Sequence, residues 1–245
     1  MPKWLNKAAA LIVCGALALI ACGRDSPVVS TGRAGKGGVA IPDAKLHAAI
    51  ASALGKASNA LITADEMATL TRLDAPNSGI RDLTGLEFAT SLTRLNFGID
   101  KVEGRYVNSN DISDLTPLAG LTNLTQLTLT NTGVSDLTPL AGLTNLTRLS
   151  LGKNSIADLT PLAGLTNLTE LWLWDNSLSD LKPLAGLTNL TQLILSNNSV
   201  SDLTPLVGLT NLTELSLGDN SVADLTPLAG LTSLTSLSLG DNSIS

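Results

Sequence analysis

Aliphatic residues recur along most of this chain with a period of 22 residues. Each repeat reads approximately DLTPLAGLTNLTxLxLxxNxxS, and one aliphatic marker position advances by 22 at every step. The markers are Ile112, Val134, Ile156, Leu178, Val200, Val222 and Ile244. Within one repeat, Leu127 and Leu129 alternate with polar residues, which predicts a short strand whose leucines face the interior.

The segment between successive strands predicts a single helical turn. In residues 116–120 (TPLAG), proline suits the first helical position and glycine suits the exit. Burial of one leucine contributes roughly 1.5–3 kcal/mol before entropy is counted. A single repeat therefore cannot fold alone, and we expect the repeats to stack their leucines on one another.

Two short helices are predicted ahead of the repeats, in residues 41–69. The first follows Pro42-Asp43, stops near Gly55, and has an apolar stripe formed by Leu46, Ile50 and Leu54. The second follows Thr63, which has the capping-box spacing to Glu66. We expect the two helices to cover the apolar end of a repeat array that occupies residues 70–245.

One early repeat carries an insertion. Ile80 precedes Ile112 by 32 residues, which places ten extra residues within about 98–109. We predict a loop that projects from the rim of the array and provides a secondary contact site. A tolerated surface insertion without a role is the alternative. The candidate contact residues of this secondary loop are Lys101, Glu103, Arg105 and Tyr106.

The pattern LxxLxLxxNxI with this period resembles the leucine-rich repeat signature, and the TPLAGLTNL connection is similar to the internalin-like bacterial subclass. The resemblance covers about residues 70–245. It implies an α/β fold, a right-handed solenoid with a concave parallel β-sheet and short 3-10 or helical turns on the convex side. The helical segment before the repeats is similar to the N-terminal caps of such proteins.

The N-terminus predicts export. Lys3 and Lys7 precede an apolar run that is too short to span a bilayer, so residues 1–21 are typical of a signal peptide. The tetrad ending in Cys22 resembles the bacterial lipobox, which implies lipidation of Cys22 and a membrane-anchored lipoprotein at the outer membrane or cell surface. An ordinary secretory signal with an incidental cysteine is the alternative. Residues 22–40, rich in Gly and Ser, predict a flexible tether.

Charge and motif content argue against several function classes. The net charge is −6, and it becomes −8 once Lys3 and Lys7 are removed with the signal, which disfavours nucleic acid as a partner. His47 is the single histidine and lies on the first predicted helix. No catalytic or metal-binding motif occurs, so we predict no enzymatic activity, no cofactor and no metal.

Several polar columns repeat with the framework and are interpreted as structural. The asparagine column, for example Asn154 and Asn176, is expected to bond backbone groups where the chain leaves each strand, with Thr132 and Ser78 as weaker substitutes. The aspartate column, for example Asp158, is expected to cap the following turn rather than bind cations. The repeat pattern runs to Ser245 without a polar C-terminal cap. Three interpretations remain open: the last repeat frays, another subunit covers it, or the chain is a fragment of a longer protein.

The outward strand positions vary between repeats, and they predict the binding site. Trp172 and Trp174 project from one strand, and Ile194 is expected beside Trp172 on the next strand. The expected polar rim consists of Arg148, Lys153, Glu170, Asp175 and Gln192. We predict recognition of a protein or peptide on the concave face. Carbohydrate binding, with the tryptophans stacked on sugar rings, is the alternative, and drift in a solvated sheet face would leave no function there.

Overall fold

The computed structural model describes residues 37–98, 100–102, 105–107 and 109–244, with the backbone alone described for 100–102 and 105–107. The predicted signal peptide, Cys22, most of the tether and Glu103 lie outside the described residues. Within the described ranges, no helix is long and apolar enough to cross a membrane.

The described residues contain ten three-residue strands. In chain order they are β1 (Arg72–Asp74), β2 (Arg94–Asn96), β3 (Asp100–Val102), β4 (Arg105–Val107), β5 (Gln126–Thr128), β6 (Arg148–Ser150), β7 (Glu170–Trp172), β8 (Gln192–Ile194), β9 (Glu214–Ser216) and β10 (Ser236–Ser238). Eight of them form one parallel sheet in the order β1-β2-β5-β6-β7-β8-β9-β10. The predicted solenoid with a parallel sheet is therefore confirmed.

In the described part of the chain, seven 3-10 turns connect strands of the large sheet on the opposite side of the solenoid. They are Leu86–Phe88, Thr116–Leu118, Thr138–Leu140, Thr160–Leu162, Lys182–Leu184, Thr204–Leu206 and Thr226–Leu228. Six of the seven have proline in their first positions, for example Pro117, where the missing N–H costs nothing. The helical turn expected from the TPLAG pattern is thus a short 3-10 turn in each repeat.

Between residue 37 and the sheet there are two helices, α1 (Ala44–Ala53) and α2 (Ala64–Ala68). The Asp43 carboxylate accepts hydrogen bonds from the first-turn amides of Lys45 and Leu46 at 2.8 and 3.0 Å. At α2 the Thr63 hydroxyl and the Glu66 carboxylate complete the expected capping box. Leu46, Ile50 and Met67 are fully buried against the first repeat, so the helices cover that end of the core.

The core is one continuous column of aliphatic side chains. The inward leucines of adjacent strands pair directly, as Leu127 does with Leu149 and Leu149 with Leu171. Burial changes at the last strand: Leu127 is 1% exposed, whereas Leu237 is 44% exposed. Each repeat therefore depends on its successor to cover its leucines.

The insertion is a β-hairpin rather than the predicted loop. Strands β3 and β4 are antiparallel, with Lys101 opposite Tyr106 and Val102 opposite Arg105. Val and Tyr residues flank Glu103-Gly104 in the sequence, and such residues favour paired strands around a short turn. The inserted residues thus satisfy backbone hydrogen bonds with each other.

Candidate functional site

The parallel register arranges the outward side chains of the large sheet in rows that cross the strands. The first row consists of Arg72, Arg94, Gln126, Arg148, Glu170, Gln192, Glu214 and Ser236. The second row consists of Asp74, Asn96, Thr128, Ser150, Trp172, Ile194, Ser216 and Ser238. We call these two rows together the concave face.

An apolar pair lies near the middle of the concave face. Trp172 on β7 is directly opposite Ile194 on β8, as the repeat register predicts. The Trp172 side chain is 40% exposed, which is unusual for a large apolar residue, and Ile194 is half-buried. Their neighbours in the same row are Ser150 and Ser216, so the pair is bordered by small polar side chains.

The outward strand positions predict that both tryptophan rings are exposed, but the Trp174 ring is not freely exposed. A Cβ atom placed on Gly152 would lie only 2.3 Å from the Trp174 Nε1 atom, so the indole ring lies directly over the glycine of the neighbouring repeat. Trp174 is consequently half-buried. It supports the surface beside Trp172, whereas Trp172 presents its ring to solvent.

The polar residues predicted for the rim fall into two groups. Arg148, Glu170 and Gln192 are adjacent in the first row, and the Arg148 guanidinium forms an ion pair with Glu170 at 2.9 Å. This pair is on the surface and contributes little to stability. Its effect is to fix the two side chains beside Trp172.

Lys153 and Asp175 lie where the chain leaves β6 and β7. Both have positive φ angles, 56° and 55°, and the corresponding positions in other repeats are Asn131, Asn197, Asp219 and Asp241. The Asp175 carboxylate accepts a hydrogen bond from the Asn197 amide at 2.8 Å. These residues thus form the edge of the concave face along the carboxyl ends of the strands.

A shallow cavity on the N-terminal side of Trp172 was not predicted. It has a volume of about 210 Å³, and its polar wall includes Arg94, Gln126, Arg148 and Glu170, with Thr128 and Ser150 beside Trp172. The Arg94 Nη1 atom donates a hydrogen bond to Gln126 Oε1 at 3.2 Å. The repeated triplet Thr-Arg-Leu at 71–73, 93–95 and 147–149 was a sequence signal for these arginines, but the insertion separates the first two from the regular array.

The asparagine column is a structural ladder, as expected. The Asn176 amide donates to the Leu151 and Leu173 carbonyls at 3.1 and 3.0 Å, and its oxygen accepts from the Ile156 amide at 3.0 Å. The Thr132 hydroxyl instead donates to the Leu129 carbonyl at 2.7 Å and more weakly to the Asn154 side-chain oxygen at 3.5 Å. The threonine that directly precedes each strand, for example Thr147 and Thr169, also forms a structural column. Each of these hydroxyls donates to the threonine carbonyl of the preceding repeat, as Thr169 does to Thr147 at 3.0 Å.

A second asparagine ladder runs along the Asn-Leu-Thr triplets that recur in the repeats. The Asn145 amide donates to the Thr122 carbonyl at 2.8 Å, and Asn167 donates to Thr144 at 2.9 Å. Asparagine recurs here because it joins each connection to the preceding one. The side-chain amides are therefore part of the framework.

The aspartate column caps the turns. The Asp158 carboxylate accepts a hydrogen bond from the Thr160 amide at 2.8 Å, in an Asx-turn. Hydrogen bonds from the Thr160 hydroxyl and amide hold the pKa of Asp158 below its usual value. The same cause lowers the pKa of four equivalent carboxyls, Asp114, Asp136, Asp202 and Asp224.

Among the described residues, no group of three or more His, Cys, Asp or Glu side chains could hold a metal ion. His47 on α1 is within 2.9 Å of the Ser58 carbonyl through Nδ1, a local contact between two parts of the cap.

The fold resembles solved structures of bacterial leucine-rich repeat proteins. Internalin C2 from Listeria monocytogenes is 36% identical, with a TM-score of 0.65, over 81% of this chain and 93% of that one. Internalin F from the same species is 33% identical, with a TM-score of 0.68, over 83% of this chain and 64% of that one. A leucine-rich repeat protein from Leptospira interrogans is 25% identical, with a TM-score of 0.63, over 75% and 47%.

The family comparison agrees with these structures. A family model described as "Leucine Rich repeats (2 copies)" matches residues 144–186, 166–208, 188–230 and 210–245. Its successive matches start 22 residues apart, which is the period of the sequence. A search of curated proteins gave no match.

Proposed function

The chain belongs to the internalin-like leucine-rich repeat proteins, and from this premise we propose that it is a non-enzymatic adhesion module that binds a protein or peptide on its concave face. A fold of this kind is typically a binding scaffold, but a fold alone does not identify the ligand. The surface residues must therefore carry the argument.

The observation that carries this proposal is the exposed Trp172 beside Ile194. Framework positions are nearly invariant between repeats, whereas the first row changes from Gln126 to Arg148 to Glu170. An exposed tryptophan on a rigid sheet offers a large contact area at a small entropic cost. The expected role of Trp172 is that of a central anchor for a partner.

A displayed library of random peptides tests the proposal directly. Peptides selected on residues 37–245 would be measured against the wild type, Trp172→Ala, and Val207→Ala as a matched control. Val207 is an exposed apolar residue beside a 3-10 turn, away from the concave face. Binding that survives in Val207→Ala and is lost in Trp172→Ala supports the proposal, whereas equal binding by both variants contradicts it.

Carbohydrate is the second candidate ligand. It is favoured by the cavity that combines the Trp172 ring with the Thr128 and Ser150 hydroxyls, because sugar rings stack on tryptophan and hydrogen-bond to such groups. A glycan array that gives a strong signal with wild type and none with Trp172→Ala would favour carbohydrate over peptide.

The hairpin is proposed as a secondary contact site. Its two strands hold Lys101, Arg105 and Tyr106 on a short antiparallel ribbon, and such inserted elements on rigid scaffolds often take part in binding. Deletion of residues 99–108 restores the regular spacing. Weaker binding of selected peptides to the deletion variant supports a contact role, and unchanged affinity would reduce the hairpin to a tolerated insertion.

We further propose that the protein is exported and anchored through lipid on Cys22. The support is the tetrad at residues 19–22, which follows a basic start and an apolar run. Metabolic labelling with a fatty acid should mark the wild type and leave Cys22→Ser unmarked. Label retained in Cys22→Ser would contradict the assignment.

A further inference from the structure

We infer that the concave face binds an extended peptide segment whose acidic end lies over β1–β6, whose apolar residues lie on Trp172 and Ile194 of β7 and β8, and whose basic end lies toward β10. This inference rests on the proposed binding function. It adds the charge pattern and the orientation of the ligand.

The N-terminal half of the concave face is basic. Arg72, Arg94 and Arg148 occupy the first row, and Lys153 lies at the adjoining edge, against a single carboxylate, Asp74, in the second row. The three arginines are exposed, and Asp74 is in contact with two of them. The excess positive charge on this half favours a ligand with carboxylates.

The C-terminal half is acidic. Glu170 and Glu214 occupy the first row of β7–β10, and three aspartates lie along the edge, at Asp175, Asp219 and Asp241. In the two rows and the edge of these four strands, all of which are described, no Lys or Arg is present. The sign of the charge therefore reverses between β6 and β7, where the Trp172–Ile194 pair begins.

The cavity beside Trp172 fits an acidic side chain of such a segment. It lies between Arg94 and Arg148 and has a volume of about 210 Å³, and the Glu170 carboxylate that also lines it is already paired with Arg148. The Arg148 Nε atom pairs with Glu170, and Arg94 contacts Gln126 and Asp74. A guanidinium has five N–H donors, so each arginine keeps donors for a ligand carboxylate.

Lys153 supplies an independent indication. It has a φ of 56°, a left-handed conformation that Asn and Asp tolerate better than Lys. The other non-glycine residues with positive φ in the described chain are all Asn or Asp. The lysine is thus conformationally unfavourable at this position, and a positive charge at the edge of the basic half accounts for its presence.

The dimensions of the face agree with an extended segment. Eight strands at about 4.8 Å spacing span roughly 34 Å, which an extended chain crosses in about ten residues. A uniformly anionic polymer, such as nucleic acid or an acidic polysaccharide, would be repelled by the acidic half. The reversal of charge around an apolar centre therefore favours a segment with opposite charges at its two ends.

Three synthetic peptides of about ten residues test the inference. The first has an acidic block, an apolar block and a basic block, the second has the same composition with the charges alternating, and the third is acidic at both ends. Fluorescence anisotropy at low salt should show the block peptide binding at least about tenfold more tightly than either of the others, and more weakly as salt is added. Equal affinity for the block and alternating peptides would overturn the inference.

Neutral variants determine the orientation. Arg94→Gln should weaken binding only while the peptide keeps its acidic block, and Glu214→Gln only while it keeps its basic block. Lys182→Gln, a one-charge change on a convex turn, is the matched control and should leave affinity unchanged. The orientation would be overturned if Arg94→Gln weakened binding only through the basic block and Glu214→Gln only through the acidic block. It would also be overturned if neither effect depended on the peptide's charged blocks.

The remaining outcomes separate this inference from the proposed function. If all three peptides bound equally well and Trp172→Ala abolished that binding, the proposed binding function would be supported. The proposed charge pattern of the ligand would then be wrong. Absence of binding by the block peptide would also overturn it, whatever the peptide library yields. Sedimentation that shows dimers dissociated by Glu214→Lys would assign the face to a second copy of the chain, and a glycan signal lost in Arg94→Gln would assign it to an acidic sugar.

Discussion

Each repeat contains two sets of polar residues that differ in how freely they vary. Asn154, Asn176 and Asn198 occupy equivalent positions in successive repeats, each bonded to the backbone of its own and the preceding repeat. Outward positions such as Arg148 and Glu170 have no such backbone partner to satisfy. Repetition therefore marks residues that hold the solenoid together, and variation marks those available to a ligand.

The largest expected effect breaks the framework. Asn176→Ala removes an amide that satisfies the Leu151 and Leu173 carbonyls and the Ile156 amide, so those backbone groups lose a partner. We expect a loss of about 3–5 kcal/mol in the free energy of unfolding, measured by urea denaturation.

Asn176→Thr is the matched control, because Thr132 occupies the equivalent position two repeats earlier and bonds the Leu129 carbonyl. The threonine variant should lose clearly less stability than the alanine variant. Equal stability of Asn176→Ala and the wild type would show that the ladder does not determine the fold.

The next effect concerns the outward set, where stability and binding should separate. Trp172→Ala removes an exposed ring, so we expect unfolding free energy to change by less than about 1 kcal/mol while affinity for a selected peptide falls by about 2 kcal/mol, roughly thirtyfold. Trp174→Ala should lower both quantities, with a stability cost of about 1–2 kcal/mol, since that ring covers Gly152. If the two variants changed unfolding free energy and peptide affinity by the same amounts, Trp172 and Trp174 would not have the different roles assigned to them.

The fold followed from sequence because its determinants are local and repeated. Alternating leucines such as Leu127 and Leu129 specify the strand, and the 22-residue period specifies which strands are neighbours. That same period correctly placed Ile194 opposite Trp172. The starts of the two helices could be predicted from Asp43 and Thr63 for the same reason, since the N-cap of a helix needs only a few adjacent residues.

The rest of the candidate surface required contacts between repeats. The period places Trp174 beside Gly152 of the neighbouring repeat, but the pattern does not specify that the indole ring turns over that glycine, because this depends on the orientation of the side chain. The cavity beside Arg94 was missed because the insertion displaces that residue from the regular spacing. The hairpin was expected as a loop because its pairing is not part of the repeat.

A smaller effect is expected at Lys153. Its backbone adopts the positive φ that recurs in the framework of the repeats, whereas its charged side chain is one of the variable outward residues. Lys153→Asn keeps the positive φ with a residue that tolerates it, so unfolding free energy should rise by up to about 1 kcal/mol. Affinity for the acidic end of a block peptide should fall at the same time. A variant that is less stable than wild type would show that the lysine conformation costs nothing here.

The smallest effect per site concerns the aspartates that cap the turns. The Thr160 hydroxyl and amide lower the pKa of Asp158 in the folded chain, so its charged form favours folding. A lowered pKa contributes stability above the unfolded value of about 3.8, and this contribution is lost as pH falls through the folded value. Melting temperature should therefore decrease below about pH 4, as the five carboxyls of this kind become protonated.

Asp158→Asn, which keeps an oxygen acceptor for the Thr160 amide, should lower the melting temperature slightly at pH 7 and differ less from wild type at pH 3. Ser155→Ala, an exposed neighbour without a titratable group, provides the control, and a difference between Asp158→Asn and wild type that does not narrow with acid would show that the carboxylate charge plays no part in capping.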